Sequence, residues 1–507
     1  MKNIFRKELT TKDLHVGLPE AEREANFNSR VKLIDVFRDF LEVFPEIDEG
    51  NFIITGNKGS GKSAIGQVLF KRAKDDPNSF CEYIQKSDID LEEIVQFSEN
   101  TDYFIQKEIL FKWIILTRIL RMITENVALK DLKEVKIVKY FLVKNAGFVN
   151  IDKYEIKEIL RTSGYEIAIE KLLQFFRFKA KDELLLKGVK APFYKLIPHL
   201  EYIIKSILTS NEDKIQGNSY KIVFDDLDIQ FKANKDAHVD TLLNLIRIAK
   251  QYNNNLFSSN NINAKVIILL REDISNVLIK KSADMAKVFS SYSSNLNWFD
   301  YDLFKRDENL IPLKQFIDNR IENTLKNEGI KFEGNPWDYL IQNLEMYNEG
   351  SFKYVIDHTF HTPRDLLLFM YDIHKYQFKI PLSDRDIYIL IGKYSIKAVE
   401  EIENALSIHY SYDEIEMIFL TLKQLSFNKS FTKTEFEIEM YKHSNDMNAP
   451  KTMELLFNYS LIGNKKAYGN VVYFKHRESQ EEHFVIDFEK DFILHRILSI
   501  YFKNQRH

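Results

Sequence analysis

The chain has 507 residues, 45% of them hydrophobic, and a formal net charge of −4, which allows about three domains with sizeable cores and gives no global basic signature of a nucleic-acid binder. A single cysteine, Cys81, excludes a disulfide framework and fits a reducing, cytoplasmic setting. No apolar run approaches the ~18 residues of a membrane span: the strongest, FKWIILTRILRMI, is interrupted by Arg118 and Arg121, and the first residues, MKNIFRKELTTKDLHVGLPEAERE, lack the apolar stretch of a secretion signal.

Residues 1–50 read as a mostly polar, helical lead-in, in which SRVKLIDVFRDFLEVF spaces Val31, Ile34, Val36, Phe37, Phe40, Leu41 and Phe44 as one helix face. NFIIT predicts a short buried strand at about 52–55, followed by GNKGSGKS and the helical SAIGQVLFKRA. FCEYIQKS at 80–87 predicts a second strand. A long helix-rich insertion follows at about 90–215, strongest in YFIQKEILFKWIILTRILRMITE. YKIVFDDLD at 220–228 reads as a buried parallel strand ending in carboxylates, then the helix AHVDTLLNLIRIAKQY. AKVIILLRED at 264–273 is a further strand, and NLNWF at 295–299 reads as a fifth. Strands alternating with helices predict an α/β fold with a parallel sheet covered on both faces. From about 303 the pattern is helical to about 430, and the end alternates again. No internal repeat and no low-complexity tract interrupts the chain. Its richness in Lys, Asn and Ile and poverty in Gly and Pro suggest an AT-rich bacterial or phage genome.

The sharpest signal is Gly56–Ser63. The spacing G-x-x-x-x-G-K-[ST] forms a loop whose backbone N–H groups turn inward around a polyphosphate. Gly56, Gly59 and Gly61 allow the close approach. Asn57, Lys58, Ser60 and Ala64 contribute backbone to the cradle, and the helix beginning near Lys62 adds its positive end. Lys62 supplies a mobile charge to the β- and γ-phosphates, and the Ser63 hydroxyl is suited to ligate Mg²⁺. ATP and Mg²⁺ are therefore the expected ligands.

Asp225 and Asp226 lie at the strand end where open α/β sheets bind ligands. Asp225 fits a carboxylate holding Mg²⁺ through water, opposite Ser63. Asp226 fits one that orients or activates the attacking water, with Asp228 behind it. Glutamate is commoner in that role, and the shorter aspartate implies slow hydrolysis or help from a second residue. Arg271 ends a strand expected beside that of Asp225; it reads as a γ-phosphate sensor or as a partner of Glu272 or Asp273. In FHTPRDLLLFM, Thr362 caps, Pro363 takes the first helical position and Arg364 sits in the first turn. Taken alone, Arg364 reads as a solvated helix-start residue.

Taken together, AEREANF (21–27), GNKGSGKSAI, the helix bearing Trp113, FDDLD, LLRED, HTPRDLLLF and YSIKAVEEIENAL (394–406) resemble bacterial P-loop ATPases of the AAA+/STAND-related branch, and within it a family linked to genome defence. The resemblance covers most of the chain. It implies a P-loop NTPase domain at 51–302 with a five-stranded sheet of AAA+/ASCE type, a helical lid at 303–411, an Orc-like winged helix at 412–507, and a γ-phosphate-sensing role for Arg364 in the lid. The insertion between the two motifs is longer than in minimal relatives and is a place for recognition of its own.

In the tail, APKTMELLFNYSLIG would be the third helix of the winged domain, offering Lys451, Thr452, Glu454 and Asn458, which is not a basic face. The hairpin offers Lys465, Lys466, Lys475, His476 and Arg477 for phosphate contacts, but packing or protein docking is the favoured use. DFILHRILSIYF at 491–502 has helical spacing, with His495 as a core residue. No His/Cys metal cluster, Ser–His–Asp constellation or nuclease centre is legible. Two classes of function stand: an ATP-binding and hydrolysing switch controlling an unidentified protein partner, of the kind encoded by a neighbouring gene, or a DNA-binding regulator using ATP mainly as a structural ligand. A homo-oligomer is compatible with both; a membrane partner is not expected.

Overall fold

The computed structural model describes residues 10–85, 88, 107–145, 166–169, 172, 190–227, 235–342, 350–407, 409–444, 446–465, 472–477 and 485–505. The chain divides into two compact units. One, the sheet unit, comprises Val43–Asn57 and Lys62–Leu296; the other, the helical unit, comprises Met1–Glu42, Lys58–Gly61 and Asn297–His507. Much of the 90–215 insertion, and Asp228 and Lys466, lie outside the described residues.

The sheet unit is built on five parallel strands: β1 (Ile53–Gly56), β2 (Ser79–Ile84), β5 (Ser219–Phe224), β6 (Ala264–Arg271) and β7 (Ser293–Asn295), in the order β2-β5-β6-β1-β7. A two-stranded antiparallel ribbon of β3 (Glu166–Ala168) and β4 (Lys190–Pro192) belongs to the insertion. The apolar runs of β1, β5 and β6 suit strands covered on both faces, and helices do cover both. Residue parity sets the faces. The register Ile54↔Leu269, Gly56↔Arg271, Val223↔Ile267 and Tyr83↔Val223 puts Tyr83, Val223, Leu269 and Gly56 on one face. The helix Lys62–Asp75 packs there, close enough that a Cβ on Gly66 would lie 2.5 Å from Tyr83 Cε2 and 3.1 Å from Leu269 Cδ1. The opposite face carries Glu82, Tyr220, Phe224 and Val266. The helix Lys107–Glu125 covers it, with Arg118 and Arg121 reaching Glu82 at 3.4 and 3.5 Å. Burial raises the Glu82 carboxyl pKa, against the pull of those two arginines. Trp113 packs edge-on against Phe193 in this core, ring centroids 5.4 Å apart.

Three elements differ from the reading of the sequence. The segment 29–44 is not one helix: short helices at Leu33–Val36 and Val43–Glu49 flank a break at Glu42, whose φ is 54°. Pro45 explains it, because a continuous helix would set its ring against the carbonyl of Leu41 and leave that carbonyl without a donor; Pro45 instead fits a first turn. The fifth strand is Ser293–Asn295, not NLNWF; it is a polar edge strand that pairs, among the described residues, with β1. Residues 492–494 form a strand, and helix begins only at Arg496.

The helical unit has its own apolar core, to which the helices Pro312–Asn327, Pro363–Met370, Asp384–Leu406, Tyr412–Leu425, Lys433–Tyr441, Ala449–Asn458 and Arg496–Asn504 contribute. It also holds a three-stranded antiparallel sheet of β8 (Ile462–Lys465), β9 (Val472–Tyr473) and β10 (Phe492–Leu494), ordered β10-β8-β9. In the AEREANF segment, Glu24 is buried against Arg320 through two bonds of 2.7 and 2.8 Å. Among the described residues no helix is long and apolar enough to cross a membrane.

Candidate functional site

Because β1, β5 and β6 are parallel, their carboxyl ends share one edge of the sheet. Gly56 ends β1, Arg271 ends β6 directly beside it, and Asp225 follows β5. At the ordinary strand spacing, Asp225 lies roughly 10 Å across the sheet from the start of the loop. Asp225 is 3% exposed. Its backbone N–H donates to the Ile84 carbonyl at 2.9 Å, and its Oδ2 accepts the Tyr83 hydroxyl. Asp226 turns away from the strand with a φ of 53° and is exposed. The strand thus delivers one carboxylate into the buried edge and one into solvent. Arg271 lies against its own neighbour: its Nε and Nη2 donate to Asp273 at 3.1 and 2.5 Å.

Lys62 opens the helix Lys62–Asp75, and its Nζ donates to the carbonyls of Gly56 and Asn57 at 2.8 and 3.0 Å. Ser63 and Ala64 follow, half-buried in the first turn of that helix.

The tip of the loop, Lys58–Gly61, belongs to the helical unit, and its anchors there orient it. The Gly59 carbonyl accepts the Arg364 backbone N–H at 3.3 Å, and the Ser60 carbonyl accepts the Trp298 indole N–H at 2.7 Å. In a trans peptide the following N–H points opposite to the carbonyl. The Ser60 and Gly61 N–H groups are therefore turned away from these anchors. Gly59 (φ 86°) and Gly61 (φ 93°) take conformations that disfavour side chains. A Cβ on Gly59 would also sit 2.9 Å from Arg364 Cβ and 3.0 Å from Thr362 Oγ1. The Ser60 hydroxyl is buried and meets no hydrogen-bonding partner among the described residues.

Thr362 caps Pro363–Met370 as expected, and Asp365 completes a reciprocal capping box with it. Asp365 is buried, and it also accepts the Tyr394 hydroxyl at 2.7 Å; burial raises its carboxyl pKa. Arg364 projects from this turn and donates through Nη2 to Glu401 at 2.7 Å, while its Nε is buried with no partner among the described residues. Glu401 also pairs with Lys58 at 2.6 Å, so one carboxylate gathers a loop-tip cation and the helix-start arginine. Arg364 is thus not the solvated residue that its sequence position alone suggests.

In the tail, the helix Ala449–Asn458 and the antiparallel pair β8–β9 form where expected. Thr452 is buried and bonded to Tyr410 at 2.9 Å, so it does not belong to an exposed face with Lys451, Glu454 and Asn458. Lys475 Nζ donates to Asn458 at 2.9 Å, and Lys465 is half-buried. His476 packs edge-on to His361 and tilted to His495, with ring centroids 4.5 and 5.3 Å apart, and the Arg477 backbone closes a single short turn. His495 is fully buried and accepts from the Ile497 N–H at 3.3 Å, as befits a core histidine. Among the described residues no group of three or more His, Cys, Asp or Glu has metal-site geometry.

The reading of the sequence missed Tyr83, Trp298 and Glu401. Trp298 lay inside a supposed strand, and Tyr83 becomes relevant only once the β2–β5 register is known. Glu401 stood within the YSIKAVEEIENAL motif, with no local sign of its partners. No family model matches the chain, and no curated protein matches it.

Proposed function

We propose that the chain is a P-loop ATPase of AAA+/ASCE type: a switch that binds Mg·ATP at Gly56–Ser63, hydrolyses it and so controls a partner. The observation that carries this reading is the loop at the carboxyl end of β1. Two of its peptide planes are fixed by Trp298 and the Arg364 amide, Gly59 and Gly61 adopt the positive φ angles that favour glycine, and a buried carboxylate follows a nearby strand of the same sheet. The Ser60 hydroxyl and the Arg364 Nε, both buried without partners among the described residues, can each donate, and a polyanion fits as the missing acceptor.

In this reading the Ser60 and Gly61 amides cradle phosphate oxygens, Lys62 leaves the Gly56 and Asn57 carbonyls to meet the β- and γ-phosphates, and Ser63 with Asp225 holds Mg²⁺. Bound Mg²⁺ supplies charge neutralisation at the β- and γ-oxygens. Asp226 orients the attacking water and accepts its proton. Arg271 exchanges Asp273 for the γ-phosphate, and Arg364 exchanges Glu401 for the same group. The parts beyond the sheet, a helical lid and a winged helix at 412–507, are proposed on resemblance and on element order. Bacterial genome defence as the setting rests on the resemblance alone. A DNA-binding regulator is the weaker reading, because the third-helix face is not basic and Lys475 is engaged by Asn458.

The experiment is phosphate release from Mg·ATP by the intact chain. Turnover is expected in the wild type. Asp226→Asn should keep nucleotide binding but slow release ~10²-fold or more, the scale of a lost general base, whereas Asp225→Asn should weaken the Mg²⁺ dependence. Identical behaviour of the two variants would overturn the division of roles.

A further inference from the structure

We infer that Tyr83 is a positioning residue for the metal-holding carboxylate Asp225, and that Gly66 exists to admit it; this rests on the ATPase reading above. Three observations converge. First, strand parity puts Tyr83 on the same face of the sheet as Val223, one strand across, and as Asp225, two residues beyond Val223. Second, the Tyr83 hydroxyl donates to Asp225 Oδ2, and Gln85 Nε2 donates weakly to the same hydroxyl at 3.4 Å. Third, the ring runs under the helix that begins with Lys62 and Ser63. A methyl group on Gly66 would meet Tyr83 Cε2 at 2.5 Å and Cδ2 at 3.2 Å, so any other residue there displaces the ring. Phe70, one turn further along the same helix, flanks it with ring centroids 6.1 Å apart.

The chemistry follows from the two lone-pair-bearing oxygens of a carboxylate. With Oδ2 committed to the phenol, Asp225 is held in one rotation and Oδ1 would be the oxygen left for the cation and its water shell. A neutral donor does this without competing as a charge. A carboxylate left free to rotate must be ordered when the metal arrives, which weakens binding. Partners of this kind, which hold a ligand rather than the metal, typically affect affinity by 10–100-fold.

The test is a titration of ATP binding against Mg²⁺, and separately Mn²⁺, on the intact chain with Tyr83→Phe and Gly66→Ala. Tyr83→Phe removes one oxygen and keeps the ring. It should raise the Mg²⁺ concentration for half-maximal ATP binding roughly 10-fold, while leaving metal-free ATP affinity near wild type. Gly66→Ala, which displaces the ring, should shift the Mg²⁺ dependence in the same direction, and it carries the test if Tyr83→Phe does not fold. A Tyr83→Phe protein with the wild-type Mg²⁺ dependence, alongside an Asp225→Asn protein in which that dependence is lost, would overturn the inference and leave the ATPase reading intact. A wild type whose ATP binding ignores divalent cations would overturn both.

Discussion

At the scale of single residues, the environment decides what each group does. Cys81 lies on β2, on the Tyr83 face of the sheet, and burial pushes its thiol pKa up to about 12, although Lys221 beside it pulls the other way. The thiolate is the reactive form, so the native protein should react slowly with a thiol reagent at pH 8. Denaturation exposes a thiol of ordinary pKa, and reaction should then be at least about 100-fold faster. Equal rates with an absorbance-reporting disulfide reagent in the native and unfolded protein would show that β2 does not bury this face. Identity and spacing alone picked out Lys62, Ser63 and Asp225, the residues to which the proposed function gives chemical roles. They did not pick out Tyr83 and Trp298, because each acts through a partner more than a hundred positions away, Asp225 and Ser60 respectively.

At the scale of elements, β1, β5 and β6 were legible because each is an apolar run stopped by glycine or charge, which fits a strand covered on both faces. Ser293–Asn295 was not, since a short edge strand needs no apolar run. The stretch at 491–502 misled because the apolar Phe492 and Leu494 alternate as strand residues before the helical spacing of Ile497, Leu498 and Phe502 begins. The Thr362 cap and the Pro363 helix start were legible; the reciprocal bond to Asp365 was not read, and the completed box gives an element-scale prediction. Asp365 accepts from the Thr362 amide and hydroxyl and from the Tyr394 hydroxyl. Asp365→Ala leaves the Thr362 cap on the residue 365 amide but removes the reciprocal half of the box and strands a buried phenol, a loss of roughly 1–3 kcal/mol. Asp365→Asn keeps the shape and an acceptor, and burial already works against the charged carboxyl, so it should cost much less. Chemical denaturation monitored by tryptophan fluorescence separates the two. An Ala variant no less stable than the Asn variant would mean that the hydrogen bonds do not hold this helix start.

At the scale of the molecule, the chain sorts into two compact units, and the glycine-rich stretch Gly56–Ser63 is divided between them: Gly56, Asn57, Lys62 and Ser63 group with the sheet unit and Lys58–Gly61 with the helical unit. That division was not legible, since a contiguous motif gives no hint that the carbonyls of its middle residues are tied to residues 298 and 364. ATP and ADP differ by one phosphoryl group, so only groups that meet it distinguish the two states. Arg364, tied to Glu401 beside the loop tip, is the candidate within the helical unit. A charge-assisted bond from it is worth on the order of 1.5–3 kcal/mol, or roughly 10–150-fold in affinity.

The central claim, that Gly56–Ser63 holds a nucleoside triphosphate, is tested most directly by equilibrium titration of a fluorescent ATP analogue, with ATP and ADP as competitors, against the wild type, Lys62→Ala and Arg364→Ala. The wild type should bind both nucleotides, Lys62→Ala should lose both while remaining folded, and Arg364→Ala should lose more affinity for ATP than for ADP. A folded Lys62→Ala protein that binds ATP as tightly as the wild type would contradict the account.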